Sequence, residues 1–278
     1  MHRFFIPPDW IQGNEVTLTG ALVHQLRDVL RLRPDDAIVV LDDSGWEYSL
    51  HLTRVEHDVA SGLVDRKSLS RSEPRAKLTL YQSMLKGHHF EWVLQKGTEL
   101  GIVEFVPLVS DRCVVSSLED VSQSRFERWQ RIIREAAEQS QRGRLPRLQA
   151  PMLFPQACER GRGADLAVIA WEQESVCTLH SMLSHTCESQ PVVRARGQSV
   201  RWETGPLPQL SSDRQRSSAR RPFSIHIFIG PEGGFTAREI DQARRYGLTP
   251  VSLGPRILRA ETAGLVATTM VLYHLGDL

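Results

Sequence analysis

Segments typical of strands alternate with segments typical of helices from about residue 78 to the end of the chain. The strand candidates are 78–83, 103–109, 166–171, 225–229 and 250–253. Apolar residues recur at helical spacing in 90–100, 124–142 and 261–275. This alternation predicts an α/β domain, in which a parallel sheet is covered on both faces. Because such sheets bind ligands outside the carboxyl ends of their strands, the residues that follow each strand are the first candidates for a site.

The first 70 residues have a different pattern, with short strands and one helix. Strand composition occurs at 16–18, 37–41 and 46–55, and Asp42–Gly45 has the composition of a hairpin turn. A helix is predicted over Ala21–Leu32. We expect a small β-barrel here. The polar segment Arg66–Pro74 is a natural linker, so the predicted domains are 1–72 and 73–278.

Composition favours a cytoplasmic protein. The start of the chain lacks an apolar segment followed by a small-residue cleavage site, and no apolar run approaches the roughly 20 residues of a membrane helix. The four cysteines form no CxxC pair and have no metal-ligand spacing with histidine. We therefore expect free thiols, no metal and no membrane. The formal net charge of +1 does not exclude RNA, which requires only a basic face.

One segment, 185–222, does not fit the alternation. It carries seven arginines against three acidic residues and has little apolar periodicity. Long loops without structure are uncommon in compact domains. The segment is therefore either a functional arm or a disordered insertion, and its polar composition favours the insertion.

The most informative motif is Gly230-Pro231-Glu232-Gly233-Gly234-Phe235, which directly follows an apolar strand. Its glycines allow a ligand to approach the backbone closely. The next residues, Thr236 to Glu239, form a capping-box pattern that begins a helix. A strand, a glycine turn and a helix N-terminus together suit an anionic or polar cofactor, although a tight structural turn would have the same composition.

A second motif, Ser252 to Ala263, also follows a strand and also pairs glycine with proline. It places Arg259, Glu261 and Thr262 at the entry to the final helix. Arg259 could polarise a substrate carbonyl there, or it could simply bridge to Glu261. The motifs GxGxxG after a strand, GxxxxGK[ST] and HExxH are all absent, which argues against the common dinucleotide, P-loop and zinc-protease sites.

Taken together, these residues resemble the ribosomal RNA uridine-N3 methyltransferases of the SPOUT superfamily. The resemblance covers nearly the whole chain apart from 185–222, and its last two motifs are the most specific. The matching segments are Arg3–Phe5, His24 with Val29–Arg31, Gln95–Gly101, Glu135–Ser140 with Arg142, Gly230–Phe235 and Leu253–Thr262.

The resemblance implies an N-terminal PUA-like β-barrel and a trefoil-knotted α/β methyltransferase domain that acts as a homodimer. It implies the cofactor S-adenosylmethionine, and N3 of a uridine in small-subunit (16S) ribosomal RNA as the methylated atom. The residues expected to bind the cofactor are Trp171, Glu172, Ile229, Gly230, Pro231, Glu232, Gly233, Gly234, Leu253, Gly254, Pro255, Ile257, Leu258 and Thr262.

Three residues are candidates for the chemical step. Arg259 would stabilise charge that develops on the uracil carbonyls, and Glu232 or Glu99 would accept the N3 proton. Glu232 could instead only hold its own loop. The histidines His88 and His89, at a strand-to-helix turn, are weaker candidates for RNA contact.

Basic side chains predict where RNA phosphates bind. Arginines recur at every third position along 125–134, and Arg27 and Arg31 are four residues apart, which would place them on one helical face. A solvated face balanced by glutamates is the alternative interpretation. The predicted RNA contacts are Arg27, Arg31, Lys96, Arg125, Arg128 and Arg142.

Two other functions fit the same motifs. A non-catalytic RNA-binding protein would explain the barrel and the arginines, but it would not need two glycine loops at strand ends. A related SPOUT methyltransferase that acts on another RNA position would have the same cofactor loops.

Overall fold

The computed structural model describes residues 1–114, 118, 121–188 and 221–278. The amino-terminal part is a six-stranded sheet with the hydrogen-bonded order β1-β4-β5-β6-β3-β2. Its strands are β1 (His2–Phe5), β2 (Ile11–Gln12), β3 (Glu15–Thr19), β4 (Ala37–Leu41), β5 (Trp46–Val55) and β6 (Val59–Leu69). Only β1 and β4 are parallel. Within the described residues the end strands β1 and β2 do not pair with each other, so the hydrogen bonds follow an open path.

The predicted hairpin between β4 and β5 is confirmed. Asp43 and Gly45 adopt the positive φ angles of 62° and 96° that such a turn needs. The predicted linker is wrong at its start, because Arg66–Leu69 is the end of β6 and pairs with Trp46–Ser49. Pairing with a neighbouring strand overrides the polar local composition of that segment.

The helix in this part is shorter than predicted. Helix α1 (Ala21–His24) widens into a π-helical turn over Gln25–Val29, closed by the Leu30 N–H donating to the Gln25 carbonyl. Arg31 then adopts a left-handed φ of 56°. The prediction that Arg27 and Arg31 share one helical face is therefore wrong, because the helix ends between them.

The second part is built on a seven-stranded sheet in which all the strand pairs are parallel. Its order is β10-β8-β7-β12-β11-β13, and β9 also pairs with β8. The strands are β7 (Lys77–Ser83), β8 (Glu104–Val109), β9 (Arg147–Leu148), β10 (Met152–Leu153), β11 (Leu166–Ala170), β12 (Ser224–Ile229) and β13 (Thr249–Val251). The parallel sheet predicted from the alternation is confirmed.

Helices cover both faces of this sheet. The helices are α2 (His89–Leu100), α3 (Gln123–Gln139), α4 (Phe154–Gly161), α5 (Leu179–Glu188), α6 (Ala237–Arg245) and α7 (Ala260–Leu275). Residues of α2, α3, α5 and α7 pack into one core, whereas α4 and α6 pack into the other. Alternating residues of β12 supply both cores, since Ile227 faces the first and Phe228 the second.

The predicted insertion, 185–222, begins within α5, and its residues 189–220 lie outside the described residues. Across the described ranges, none of the helices has both the length and the apolar character needed to cross a membrane.

A buried ion pair holds the segment between the two sheets against the end of α3. Arg142 is 2% exposed and donates from Nε and Nη2 to the two carboxylate oxygens of Glu73, at 2.9 and 2.8 Å. Its Nη1 donates to the carbonyls of Thr98 and Ile102, both at 2.9 Å. The prediction that Arg142 contacts RNA is therefore wrong, because its guanidinium is buried and donates its hydrogen bonds to protein oxygens.

Glu73 is stabilised in its charged form by the same network. Burial acts to raise the pKa of its carboxyl, but the hydrogen bonds and charge of Arg142 outweigh burial and lower the pKa. The backbone N–H groups of Gly143 and Arg144 donate to the same carboxylate, at 3.0 and 3.2 Å. Glu73 therefore fixes the segment between the sheets against the end of α3.

Replacement of Arg142 tests this interpretation. Arg142→Ala leaves the Glu73 carboxylate buried without its partner, so we expect the free energy of unfolding to fall by about 3–5 kcal/mol. The matched control is Arg131→Ala, an exposed position on α3, where a change within about 0.5 kcal/mol is expected. Urea denaturation at neutral pH measures both. Equal midpoints for the two variants would show that the ion pair does not stabilise the junction.

Candidate cofactor site and predicted RNA contacts

A pocket forms where the carboxyl ends of adjacent strands meet. β12 lies between β7 and β11, and β11 pairs with β13, so the loops after all four strands converge at one sheet edge. The pocket between them has a volume of about 740 Å³, which is within the usual range for small-molecule sites. This is the location that the order of a parallel sheet favours for a ligand.

The glycine loop after β12 has no room for side chains at two positions. A Cβ atom on Gly234 would lie 2.7 Å from Glu172 Oε1, and the φ angle of Gly234 is 67°. A Cβ on Gly230 would lie 3.2 Å from the backbone of Gly234 and Phe235. The Gly234 N–H donates to the Pro231 carbonyl and closes the turn. Glycine at both positions therefore lets this loop pack closely, and at Gly234 it also allows the positive φ angle.

A buried carboxylate holds the loop to the rest of the domain. Glu239, which is 3% exposed, accepts the Thr236 N–H at Oε2 and completes the predicted capping box at the start of α6. Its Oε1 accepts the Asp111 N–H from the segment after β8, at 2.9 Å. In the same segment, Arg112 Nη1 donates to the Gly233 carbonyl at 2.6 Å. The segment after β8 and the glycine loop are thus locked together.

The loop after β13 forms the opposite wall. It carries Leu253, Gly254, Pro255 and Leu258 to the pocket, and Arg259 follows as the N-cap residue of α7. Ile257 is 87% exposed although it is apolar.

The predicted cofactor residues all line this one pocket, except Thr262. Thr262 lies on the first turn of α7 but is not among the lining residues, whereas Ala260, Glu261 and Ala263 are. The prediction missed further lining residues: Lys86, His89, Ala170, Ser252, Arg256, Ala260, Glu261 and Ala263. The position of Lys86 and His89 just after a strand was the signal that could have identified them.

The three catalytic candidates are not brought together. Arg259 and Glu232 both line the pocket, and Glu232 Oε1 accepts the Lys86 N–H at 2.9 Å. Glu99 lies elsewhere, in a groove between α2 and α3, where Lys96 binds it at 2.8 Å. Glu99 therefore does not line the cofactor pocket of a single chain, and its role as proton acceptor stays a prediction.

The remaining predicted RNA contacts lie on the surface, and several have protein partners. Arg27 pairs with Asp28 at 2.7 Å, and Arg128 pairs with Glu91 at 2.8 Å. The Arg125 guanidinium lies 5.0 Å from the centre of the Trp129 ring. Their contact with RNA, like that of Lys96 and Arg31, stays a prediction.

Perturbed titratable groups lie outside the pocket. Burial lowers the pKa of His226 to about 4 and raises the pKa of Cys158 to about 12. His226 lies on β12, and Cys158 lies on α4 in the core between that helix and the sheet. Their shifts follow from burial, and neither group lines the pocket.

The chain is similar to known RNA methyltransferases. A family model described as an RNA methyltransferase domain matches residues 71–206 and 177–272. Ribosomal RNA small subunit methyltransferase E of Bacillus subtilis (strain 168) is 32% identical over 99% of this chain and 97% of its own length. The protein of the same name from Synechocystis sp. (strain ATCC 27184 / PCC 6803 / Kazusa) is 35% identical over 97% of this chain and 77% of its own length.

A solved structure shows the same fold over the whole length. It is the crystal structure of a ribosomal RNA small subunit methyltransferase E from Neisseria gonorrhoeae bound to S-adenosyl methionine. Its TM-score is 0.77 at 28% identity, with 98% of this chain and 97% of that chain covered. Since the family model matches more than half of the residues, the chain belongs to this family of RNA methyltransferases.

Proposed function

We propose that this protein transfers a methyl group from S-adenosylmethionine to N3 of a uridine in 16S ribosomal RNA. The observation that carries the proposal is the single pocket formed by the Gly230–Gly234 and Leu253–Leu258 loops at adjoining strand ends. The relatives named ribosomal RNA small subunit methyltransferase E support the RNA substrate. The cofactor in the Neisseria structure supports the methyl donor.

The pocket residues fit S-adenosylmethionine. The glycine loop brings backbone close to the ligand space, because Gly230, Gly233 and Gly234 line the pocket without side chains. Trp171 lines the pocket, and its buried Nε1 makes no hydrogen bond within the described part of the chain. A buried donor without a partner is costly, so a bound acceptor there would be favoured. When bound, S-adenosylmethionine supplies a methyl group already activated by a cationic sulfonium.

The protein residues then have to bind and orient the uracil and accept the proton from N3. Arg259 stands at the start of α7 on the pocket wall, where its guanidinium stabilises negative charge on a uracil carbonyl as N3 loses its proton. Glu232 is the pocket carboxylate proposed to accept that proton. Its Oε1 is bound by Lys86 N, whereas Oε2 makes no hydrogen bond in the described residues. Positioning and electrostatics therefore account for most of the catalysis.

The same proposal includes the form of the two domains, the oligomeric state and the cellular location. The amino-terminal sheet acts as a PUA-like barrel that binds RNA, and the loops of the second part form a trefoil knot around the cofactor. Two copies form a homodimer in the cytoplasm, acting on the small ribosomal subunit. The exposure of the apolar Ile257 side chain beside the pocket supports an interface between copies at that edge.

Deletion of the gene tests the reaction. We expect 3-methyluridine to disappear from small-subunit ribosomal RNA and to return when the gene is restored, as measured by mass spectrometry of nucleosides. An unchanged profile would refute the assignment to N3. Loss of a different methylated nucleoside would instead indicate a related methyltransferase.

Arg259→Ala tests the arginine. We expect turnover to fall by about a hundredfold or more, while the Kd for S-adenosylmethionine changes only a few-fold, because the charge is needed mainly in the transition state. Arg256→Ala, a neighbouring arginine on the same wall, is the matched control. Single-turnover kinetics and isothermal titration measure the two quantities. Wild-type turnover in Arg259→Ala would show that the charge comes from elsewhere.

Gly234→Ala tests the glycine loop. The added Cβ meets the Glu172 carboxylate at 2.7 Å on a backbone with positive φ, so the Glu172 side chain must move and the loop backbone is strained. We expect the Kd for S-adenosylmethionine to rise by about tenfold or more, which corresponds to a strain of ~1–3 kcal/mol. Gly247→Ala is the control, since Gly247 also has positive φ but has nothing within 4 Å of its Cβ position. Equal titration curves for the two variants would exclude close packing as the reason for the glycine.

A further inference from the structure

A second concave surface adjoins the cofactor pocket across the first turn of α2. His89 lines the pocket, whereas its neighbour His88 lines a groove of about 710 Å³ between α2 and α3. The groove follows α2 from His88 to Glu99, a length of about 16 Å at 1.5 Å per residue. A polymer that enters the pocket therefore meets the groove next.

The groove offers a flat aromatic surface with hydrogen-bonding groups around it. Trp92 is 44% exposed, and within the described residues its indole ring makes no ring-stacking or cation–π contact. Gln95 on α2 and Gln139 on α3 also line the groove, and neither side chain has a hydrogen bond in the described part of the chain. Gln95 lies one turn after Trp92 on α2, whereas Gln139 lies further along the groove, opposite the end of α2 that carries Thr98. An exposed indole beside an amide matches the face and the edge of a nucleobase.

The charges of the groove disfavour a phosphate. Glu91 already binds Arg128 at 2.8 Å and His88 at 3.1 Å, and Lys96 binds Glu99. Glu135 adds a further negative charge to the lining. A second copy of this chain also fits poorly, because the cores of protein interfaces are depleted of charged residues.

We propose that this α2–α3 groove binds an unpaired nucleobase of the RNA substrate, next to the nucleotide held in the cofactor pocket. The base stacks on Trp92, and its edge bonds to Gln95, one helical turn further along α2. The proposal rests on the proposed function for its RNA substrate, and it adds a second base-binding site on the same strand.

Trp92→Ala tests the groove, with a 16S ribosomal RNA transcript as the probe. Loss of one stacked base is expected to raise the Kd and the KM for RNA by about tenfold. The kcat and the Kd for S-adenosylmethionine should stay at wild-type values. Trp92→Phe keeps an aromatic face and should restore binding. The slope of log Kd against log salt should not change, because no phosphate contact is lost.

Two further variants keep the test decisive. Phe223→Ala removes an exposed aromatic residue at the opposite end of the sheet and should leave RNA binding unchanged. Gln95→Ala should weaken RNA binding even if Trp92→Ala fails to fold.

Wild-type RNA affinity in Trp92→Ala, at an unchanged melting temperature, would overturn the proposal. Conversion of a dimer to a monomer in light scattering would also overturn it, because the groove would then bind a second copy. If the wild-type protein binds the RNA but transfers no methyl group, the proposed function fails. The binding titrations still decide the role of the groove in that case.

Discussion

The parallel pairing of β12 with both β7 and β11 is the constraint on which the site depends. β12 follows β11 in the chain but lies between it and β7, so the loops after β7, β11 and β12 are brought side by side. The pairing of β13 with β11 adds the fourth loop. Residues that are far apart in the sequence, such as Lys86 and Arg259, thereby line one pocket. The position of the pocket, and the loops that line it, therefore follow from strand order before any side chain is considered.

Strand order alone leaves the loops free to move, and buried polar contacts remove that freedom. Glu239 uses one carboxylate oxygen to cap α6 and the other to accept the Asp111 N–H. Arg112 completes the arrangement through the carbonyl of Gly233. All three are charge-assisted hydrogen bonds, and those of the buried Glu239 carboxylate are stronger than they would be at a wet surface. The glycine loop is consequently organised before a ligand arrives, which reduces the entropy lost on binding.

The sequence predicted the sheet and the cofactor loops because both depend on local patterns. Hydrophobic periodicity and the capping box at Thr236 are readable within a few residues. Predictions that depended on tertiary contacts were less successful. Arg142 looks like an RNA contact in sequence, but Glu73, which is distant in the chain, encloses it. The position of Glu99 outside the pocket of a single chain was not predicted, because it depends on how α2 packs against α3 and α7. The extent of β6 was missed because its polar end is held only by cross-strand pairing.

Contacts between the two parts of the chain bear on how RNA would be presented to the pocket. The Phe5 N–H donates to Glu138 of α3 at 2.9 Å, and Arg134 of α3 donates to the Phe5 carbonyl at 3.0 Å. Glu138 is half-buried, and burial raises the pKa of its carboxyl. Helix α3 thus contacts β1 on one side and lines the α2–α3 groove on the other. Helix α2 lines the same groove and carries His89 to the cofactor pocket. An RNA strand bound to the amino-terminal sheet would therefore stand at a fixed distance from the groove, through α3, and from the pocket, through α2.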